Sequence, residues 1–280
     1  LKSFLQWAGG KSRLLPVIHN NLPLTYNKYF EPFVGGGAVL FSLFSTDSLT
    51  SQQAVISDLN EELINCYNVI KHETSNLIKL LEHIASLKTH SKDMYLHIRN
   101  ADRDIKTFKQ WTPVQKASRF LYLNKACFNG LYRVNSKGFF NTPYGNPKSF
   151  ETIFNIPNIL ECAKALQNVE ILNKDFNELL PSIKEYDFVY LDPPYYPVSK
   201  TSNFVSYTLQ KFKESDLQRL KDFCDVLTAN KAFFLLSNSN SDYVKTLFDG
   251  YHIQEVSINR LIGAKNSSRG KVKELLISNY

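Results

Sequence analysis

Five short apolar runs alternate along this chain with stretches of helical periodicity, and that alternation restricts the fold more than any other feature. The runs lie at 29–34, 54–58, 169–176, 186–191 and 231–239. The first breaks into Gly35, Gly36 and Gly37, with a helix expected from Ala38. The second ends at Asp58, ahead of the helical stretch "EELINCYNVIKH", and the fourth stops abruptly at Asp192. Apolar residues return at helical spacing in "ESDLQRLKDFCDVL", before the fifth run. Strands alternating with helices imply a mostly parallel sheet covered on both faces. The tail differs: "HIQEVSINR" and "KVKELLISNY" alternate residue by residue, as a terminal antiparallel hairpin does. The expected class is therefore α/β.

Residues 61–160 break this rhythm. They read as successive helices and then the Gly/Asn-rich loop "NKACFNGLYRVNSKGFFNTPYGNPK", so we take them as a second domain inserted between 1–60 and 161–280. Charge singles out the same stretch. The chain carries +7 overall, yet between 99 and 150 ten Lys and Arg face only Asp102 and Asp104. The whole excess lies in that window, as expected of a surface that meets a polyanion. A solvated helical face would also look basic; the interleaved aromatics and asparagines favour the first reading.

Other totals exclude rather than point. With 280 residues, 43% of them hydrophobic, the chain can bury a substantial core. No run is long and apolar enough to cross a bilayer, and "LKSFLQWAGGKSRLLP" is not a secretory signal. Cys66, Cys127, Cys162 and Cys224 are far apart with no CxxC pair, which predicts reduced thiols, a cytoplasmic setting and no zinc. His83, His90 and His97 are seven apart; on one helix each step would be about 10 Å, too far to share a metal.

Three motifs carry chemistry. In "EPFVGGG" the glycines at a strand's carboxyl end let backbone approach a ligand closely. Asp58, ending the next strand, stands where nucleotide-binding sheets hold ribose hydroxyls. The spacing is neither GxGxxG nor GxxxxGK[ST], which disfavours NAD and ATP. "WAGGK" (7–11) is a second glycine turn: Trp7 could simply pack in the core, while Lys11 could pair with a carboxylate of a bound zwitterion. In "DFVYLDPPYYP", Asp192 follows a strand at the sheet edge where open α/β folds bind ligands. Its carboxylate and the Pro193 carbonyl can each accept a hydrogen from one amine, turning the nitrogen lone pair toward an electrophile. Tyr195 offers a face for a planar base. A plain proline turn would also account for Asp-Pro-Pro.

DPPY (192–195), FVGGG (33–37) and WAGGK together resemble the Dam-like adenine-N6 DNA methyltransferases, and the basic segment between FVGGG and DPPY matches the order of their alpha group. The resemblance runs nearly end to end: "NGLYRVNSKGFFNTPYG" (129–145) is similar to the family's DNA-reading loop, "KDF" (174–176) to its adenine pocket, "LLSNS" to its strand after DPPY and "GAKNSSRGKVKELLISNY" to its terminal hairpin. It implies an S-adenosylmethionine-dependent methyltransferase fold with an inserted helical DNA-recognition domain. S-adenosylmethionine would be contacted by Trp7 and Lys11, lined by Phe33, Val34, Gly35, Gly36 and Gly37, held at the ribose by Asp58 and flanked at its adenine by Asp175 and Phe176. Asp192, Pro193, Pro194 and Tyr195 would be the catalytic set, with Asp192 between donor and target. Asn129, Leu131 and Arg133 match positions that read GATC, with Asn135, Lys137 and Pro143 in the same loop. The family usually has Lys before the Trp; here Gln6 stands there, and Gln suits adenine better than guanine, so the first base pair is expected to be read differently or more loosely.

The implied reaction flips one adenine out of duplex DNA and methylates its N6, without metal or covalent intermediate. A related enzyme acting on RNA or protein amines would share the catalytic cluster, but has less use for the basic, Arg/Asn-rich loop. A non-catalytic DNA-binding module would leave both glycine turns and DPPY without a task. The expected partner is double-stranded DNA, with no membrane, a restriction endonuclease in the same system and a monomeric state in solution.

Overall fold

The computed structural model describes residues 1–7, 9–46, 49, 54–87, 91–147, 153–196, 212–259 and 271–280. Seven strands form one sheet: β1 (Tyr29–Glu31), β2 (Ala54–Ser57), β3 (Val169–Leu172), β4 (Phe188–Leu191), β5 (Phe233–Ser239), β6 (His252–Asn259) and β7 (Lys271–Ser278). Their order is β3-β2-β1-β4-β5-β7-β6. The first five are parallel, and β7 runs antiparallel to both β5 and β6. The expected parallel sheet and terminal hairpin are both present. The first strand is shorter than its apolar run, because the chain turns at 32–33 before reaching the glycines.

β2 and β4 are buried at every position, as strands covered on both faces must be. Side chains alternate between two cores. Tyr29, Ala54, Ile56, Phe188 and Tyr190 enter one, and Phe30, Val55, Val189 and Leu191 enter the other. The second core is closed by α9 (Glu214–Ala229) and α10 (Asp242–Leu247) through Leu217, Leu220, Phe223 and Val244.

On the first face lie α1 (Leu15–Asn20), α2 (Ala38–Ser45), α3 (Glu61–His72), α4 (Thr74–Ser86), α5 (Lys92–Asn100), α6 (Ile105–Lys109), α7 (Pro113–Ala126) and α8 (Ile156–Leu166). The core is continuous from the sheet into this helical layer: Tyr29 and Phe188 belong with Leu77, Tyr95, Phe120 and Phe140. Local signals start the helices. Asn60 caps α3 by accepting the Leu63 N–H, and Thr112 with Gln115 forms a reciprocal capping box on α7.

Two sequence expectations need correction. His83 lies on α4 and His97 on α5, so one-helix spacing does not govern them; His90 lies outside the described residues. Among the described residues no His/Cys/Asp/Glu group could hold a metal, and no helix is long and apolar enough to cross a membrane. The basic segment is also not one free surface. Arg119 is 2% exposed and bridges Glu62 and Asp102, while Arg103 pairs with Asp102 and donates to the Phe140 carbonyl. These charges build the helical layer. All four cysteines are free and buried.

Candidate active site

The parallel strands deliver their carboxyl ends to one edge of the sheet. β1 pairs with β2 on one side and with β4 on the other, which makes the β1/β4 boundary the switch point where open α/β sheets bind ligands. The glycine turn leaves β1 there and Asp192 leaves β4.

Lys11 crosses to this edge from the N-terminal turn. It is 6% exposed; its Nζ lies 2.7 Å from Asp192 Oδ1, donates to the Gly9 carbonyl at 2.8 Å and sits 4.5 Å from the Tyr195 ring centroid. Burial pushes the Asp192 carboxyl up to about 6; the Lys11 ammonium pulls it back down, and Glu274 nearby adds a smaller upward push. Pro193 is buried and Pro194 exposed. Among the described residues no backbone N–H donates to the Pro193 carbonyl. The Tyr195 hydroxyl donates to Glu274 Oε2 at 2.6 Å.

The glycine turn is shaped by an aromatic. A Cβ on Gly35 would lie 2.9 Å from Trp7 Cδ1 and Nε1, and one on Gly36 would lie 2.9 Å from Trp7 Cβ. Trp7 therefore rests on the turn while joining the partly buried edge of the core. Asp58 holds the turn from β2: Oδ2 accepts the Gly35 N–H at 3.1 Å and Oδ1 the Asn60 N–H at 2.9 Å. Burial raises its pKa, and these N–H donors counter the rise. Val34 is buried, and its N–H donates to the Ser57 carbonyl. Phe33 faces Phe176 at 5.3 Å between centroids. Asp175 caps the short 3-10 turn Phe176–Ser182 and pairs with Arg219 at 2.7 Å; the same guanidinium lies 5.1 Å from the Phe176 ring.

The loop after α7 forms a second cluster. Asn129 is exposed with φ of 56°. Arg133 Nε donates to Asn141 Oδ1 at 2.7 Å. Asn135 Oδ1 accepts the N–H groups of Lys137 and Phe139 and so builds the turn that exposes Lys137. Leu131 is partly exposed and its carbonyl takes the Thr142 hydroxyl; Pro143 is exposed and its carbonyl takes the Phe128 N–H. Gln6 is exposed beside this loop, so close that a Cβ on Gly130 would lie 2.5 Å from its side chain. Asn124 grips the Gln6 backbone from both sides, accepting its N–H at 3.0 Å and donating to its carbonyl at 2.6 Å. Tyr132 joins the clusters: it stacks on Trp7 at 5.6 Å and donates to Glu62 Oε2.

Sequence reasoning missed several of these residues. Glu31 is 2% exposed at the end of β1, accepts from the Tyr29 hydroxyl and the Leu40 N–H, and is pushed up to about 8, chiefly by burial. An acid inside an apolar strand was its signal. Asn124, Arg219 and Glu274 had none, since each meets the site only through tertiary contact. The 263–270 part of the terminal-hairpin motif lies outside the described residues.

Residues 7–262 match the family model of the D12 class N6 adenine-specific DNA methyltransferases. Type II methyltransferase M1.LlaDCHI of Lactococcus lactis subsp. cremoris is 42% identical, over 100% of this chain and 96% of the relative. Type II methyltransferase M.MjaIII of Methanocaldococcus jannaschii is 41% identical, over 100% and 99%. A DNA adenine methylase of Vibrio cholerae is 32% identical, over 98% and 95%.

Proposed function

The chain belongs to the D12 class of N6 adenine-specific DNA methyltransferases, and on that premise we propose how its own residues divide the work of methylating N6 of adenine in duplex DNA. S-adenosylmethionine, the family's methyl donor, supplies an electrophilic methyl group on its sulfonium. The residues at the sheet edge suit that cofactor: an ammonium for its carboxylate (Lys11), a carboxylate for its ribose (Asp58), and a carboxylate and two rings for its adenine (Asp175, Phe33, Phe176). Trp7 and the turn from Val34 to Gly37 line the remainder. One observation carries the assignment: at the β1/β4 switch point Lys11 contacts both the Asp192 carboxylate and the Tyr195 ring.

In this reading the target adenine leaves the stack at a cost of a few kcal/mol, offset by the Tyr195 face and by hydrogen bonds to Asp192 and the Pro193 carbonyl. Those two acceptors hold both N6 hydrogens and aim the lone pair at the methyl. Pro194 keeps the turn rigid. The N6 proton becomes acidic once nitrogen is methylated and passes to Asp192 or water. Asn129, Leu131 and Arg133 read GATC, Arg133 suiting guanine O6 and N7 in the major groove; Gln6 meets the first base pair, and Asn135, Lys137 and Pro143 complete the loop. Residues 1–60 and 161–280 form the donor-binding part and 61–160 the target-recognition part. We further place the protein in the cytoplasm as a monomer; since two relatives are named type II methyltransferases, we pair it with a restriction endonuclease.

The test is transfer of labelled methyl to GATC duplexes and to duplexes altered one base at a time. Transfer confined to the GATC adenine is the expected outcome. Relaxation at the first base alone would locate the difference at Gln6, and equal transfer to every altered site would overturn the reading loop.

A further inference from the structure

We propose that Glu274 is a positioning residue for methyl transfer, holding the Tyr195 ring in the plane on which the target adenine stacks; this rests on the reading of Tyr195 given above. Tyr195 stands outside the strands, four residues after the end of β4. Its hydroxyl is held from elsewhere, donating to Glu274 Oε2 at 2.6 Å. Glu274 lies on β7, opposite Ser239 of β5 and Val256 of β6, and β5 is the strand beside β4. The anchor is therefore built on the sheet. Lys11 fixes the same ring from one face, at 4.5 Å from its centroid. An edge anchor and a face anchor together define the ring plane.

The chemistry of Glu274 supports a dedicated role. It is partly buried, and among the described residues no Lys, Arg or His lies within ion-pair distance of it. Among the described residues the hydrogen-bond partner of its carboxylate is the phenol. A carboxylate here carries a penalty, because its charge opposes ionisation of Asp192. An amide or apolar residue would avoid that repulsion. What the carboxylate adds is a charge-assisted O–H···O bond, shorter and stronger than a neutral one, and so a better-defined ring. Catalytic sites depend on such supporting contacts, since a displacement of about 1 Å can lower the rate on the order of a hundredfold.

The test uses the full chain with S-adenosylmethionine and two duplexes, one with adenine and one with 2-aminopurine at the target position. Glu274→Ala should lower kcat about tenfold and reduce the 2-aminopurine response, while the donor Kd stays within about twofold. Tyr195→Phe deletes the same hydrogen bond from the other end and should match it. The double variant should be no slower than the slower single, because one interaction is removed once. Glu274→Gln keeps an acceptor and should recover to within about threefold of the parent. Multiplicative losses in the double variant, or a loss confined to donor binding, would overturn the proposal. If Tyr195→Ala keeps the parental rate and fluorescence, the stacking role of Tyr195 itself falls. If Tyr195→Ala is impaired while Tyr195→Phe and Glu274→Ala are not, only the Glu274 role falls. Should Glu274→Ala fail to fold, Tyr195→Phe and Glu274→Gln decide: parental activity in Tyr195→Phe sinks the idea.

Discussion

Asp192 carries the sharpest consequence at the residue scale. In the proposed mechanism its carboxylate accepts from the target amine, so only the ionised form serves, and burial has moved its pKa up to about 6. The sign follows directly: kcat/KM should be flat above that value and fall about tenfold per pH unit below it. Asp192→Ala should abolish transfer while DNA affinity, measured by filter binding, stays close to the parent. Glu31 makes a second prediction, on stability. Its folded pKa of about 8 lies above the ordinary 4.5, so between those values the folded chain binds more protons than the unfolded one. Stability should therefore fall as pH rises across that window. In Glu31→Gln the slope should shrink, with Tm higher than the parent near pH 8 and little changed near pH 5. A parental slope in that variant would mean another group titrates.

At the scale of elements, the loop after α7, proposed above to read DNA, is held in place by a charge network centred on the buried Arg119. Arg119 on α7 bridges Glu62 of α3 and Asp102, and donates to the carbonyls of Ile98 and Arg99 at the end of α5. Glu62 in turn holds Tyr132, and Asp102 accepts the Phe140 N–H. Removing the guanidinium would take from Glu62 its cation, from Asp102 one of its two, and from the Ile98 and Arg99 carbonyls a donor each, so Arg119→Ala should lose about 3 kcal/mol in urea unfolding. Thr112→Ala, at the exposed capping box of the same helix, should lose only about 1 kcal/mol. Similar losses from the two variants would show that the network is solvated. None of this was visible in the basic composition of 99–150, where Arg119 counts the same as exposed Lys137. Charge sums do not register burial.

For the whole molecule, the parallel half and the terminal hairpin meet at β5, and the loop after α7 reaches the glycine turn through Tyr132 and Trp7. DNA binding should accordingly separate into two kinds of contact. Lys137→Ala should weaken all duplexes alike and reduce the slope of log K against log salt by about 0.9. Arg133→Ala should instead narrow the gap between GATC and altered duplexes by about 1–3 kcal/mol. If Lys137→Ala leaves the salt slope intact, that lysine does not meet a phosphate.

What the sequence determined by itself is local. The order of strands and helices, the glycine turn, Asp58, and the abrupt stop at Asp192 are all legible because each depends on a periodicity of 2 or 3.6 or on a residue with special backbone chemistry. The resemblance of DPPY, FVGGG and WAGGK to a known family rests on the same short stretches. The tertiary structure decided what happens between them. It set Lys11 against Asp192 across 181 positions of chain, laid Trp7 on Gly35 and Gly36, and used Asn124 to clamp Gln6 beside Gly130. It buried Arg119 and brought Glu274 to Tyr195. Such contacts form when strands far apart in the chain pair side by side, and no local pattern records which side chains then meet.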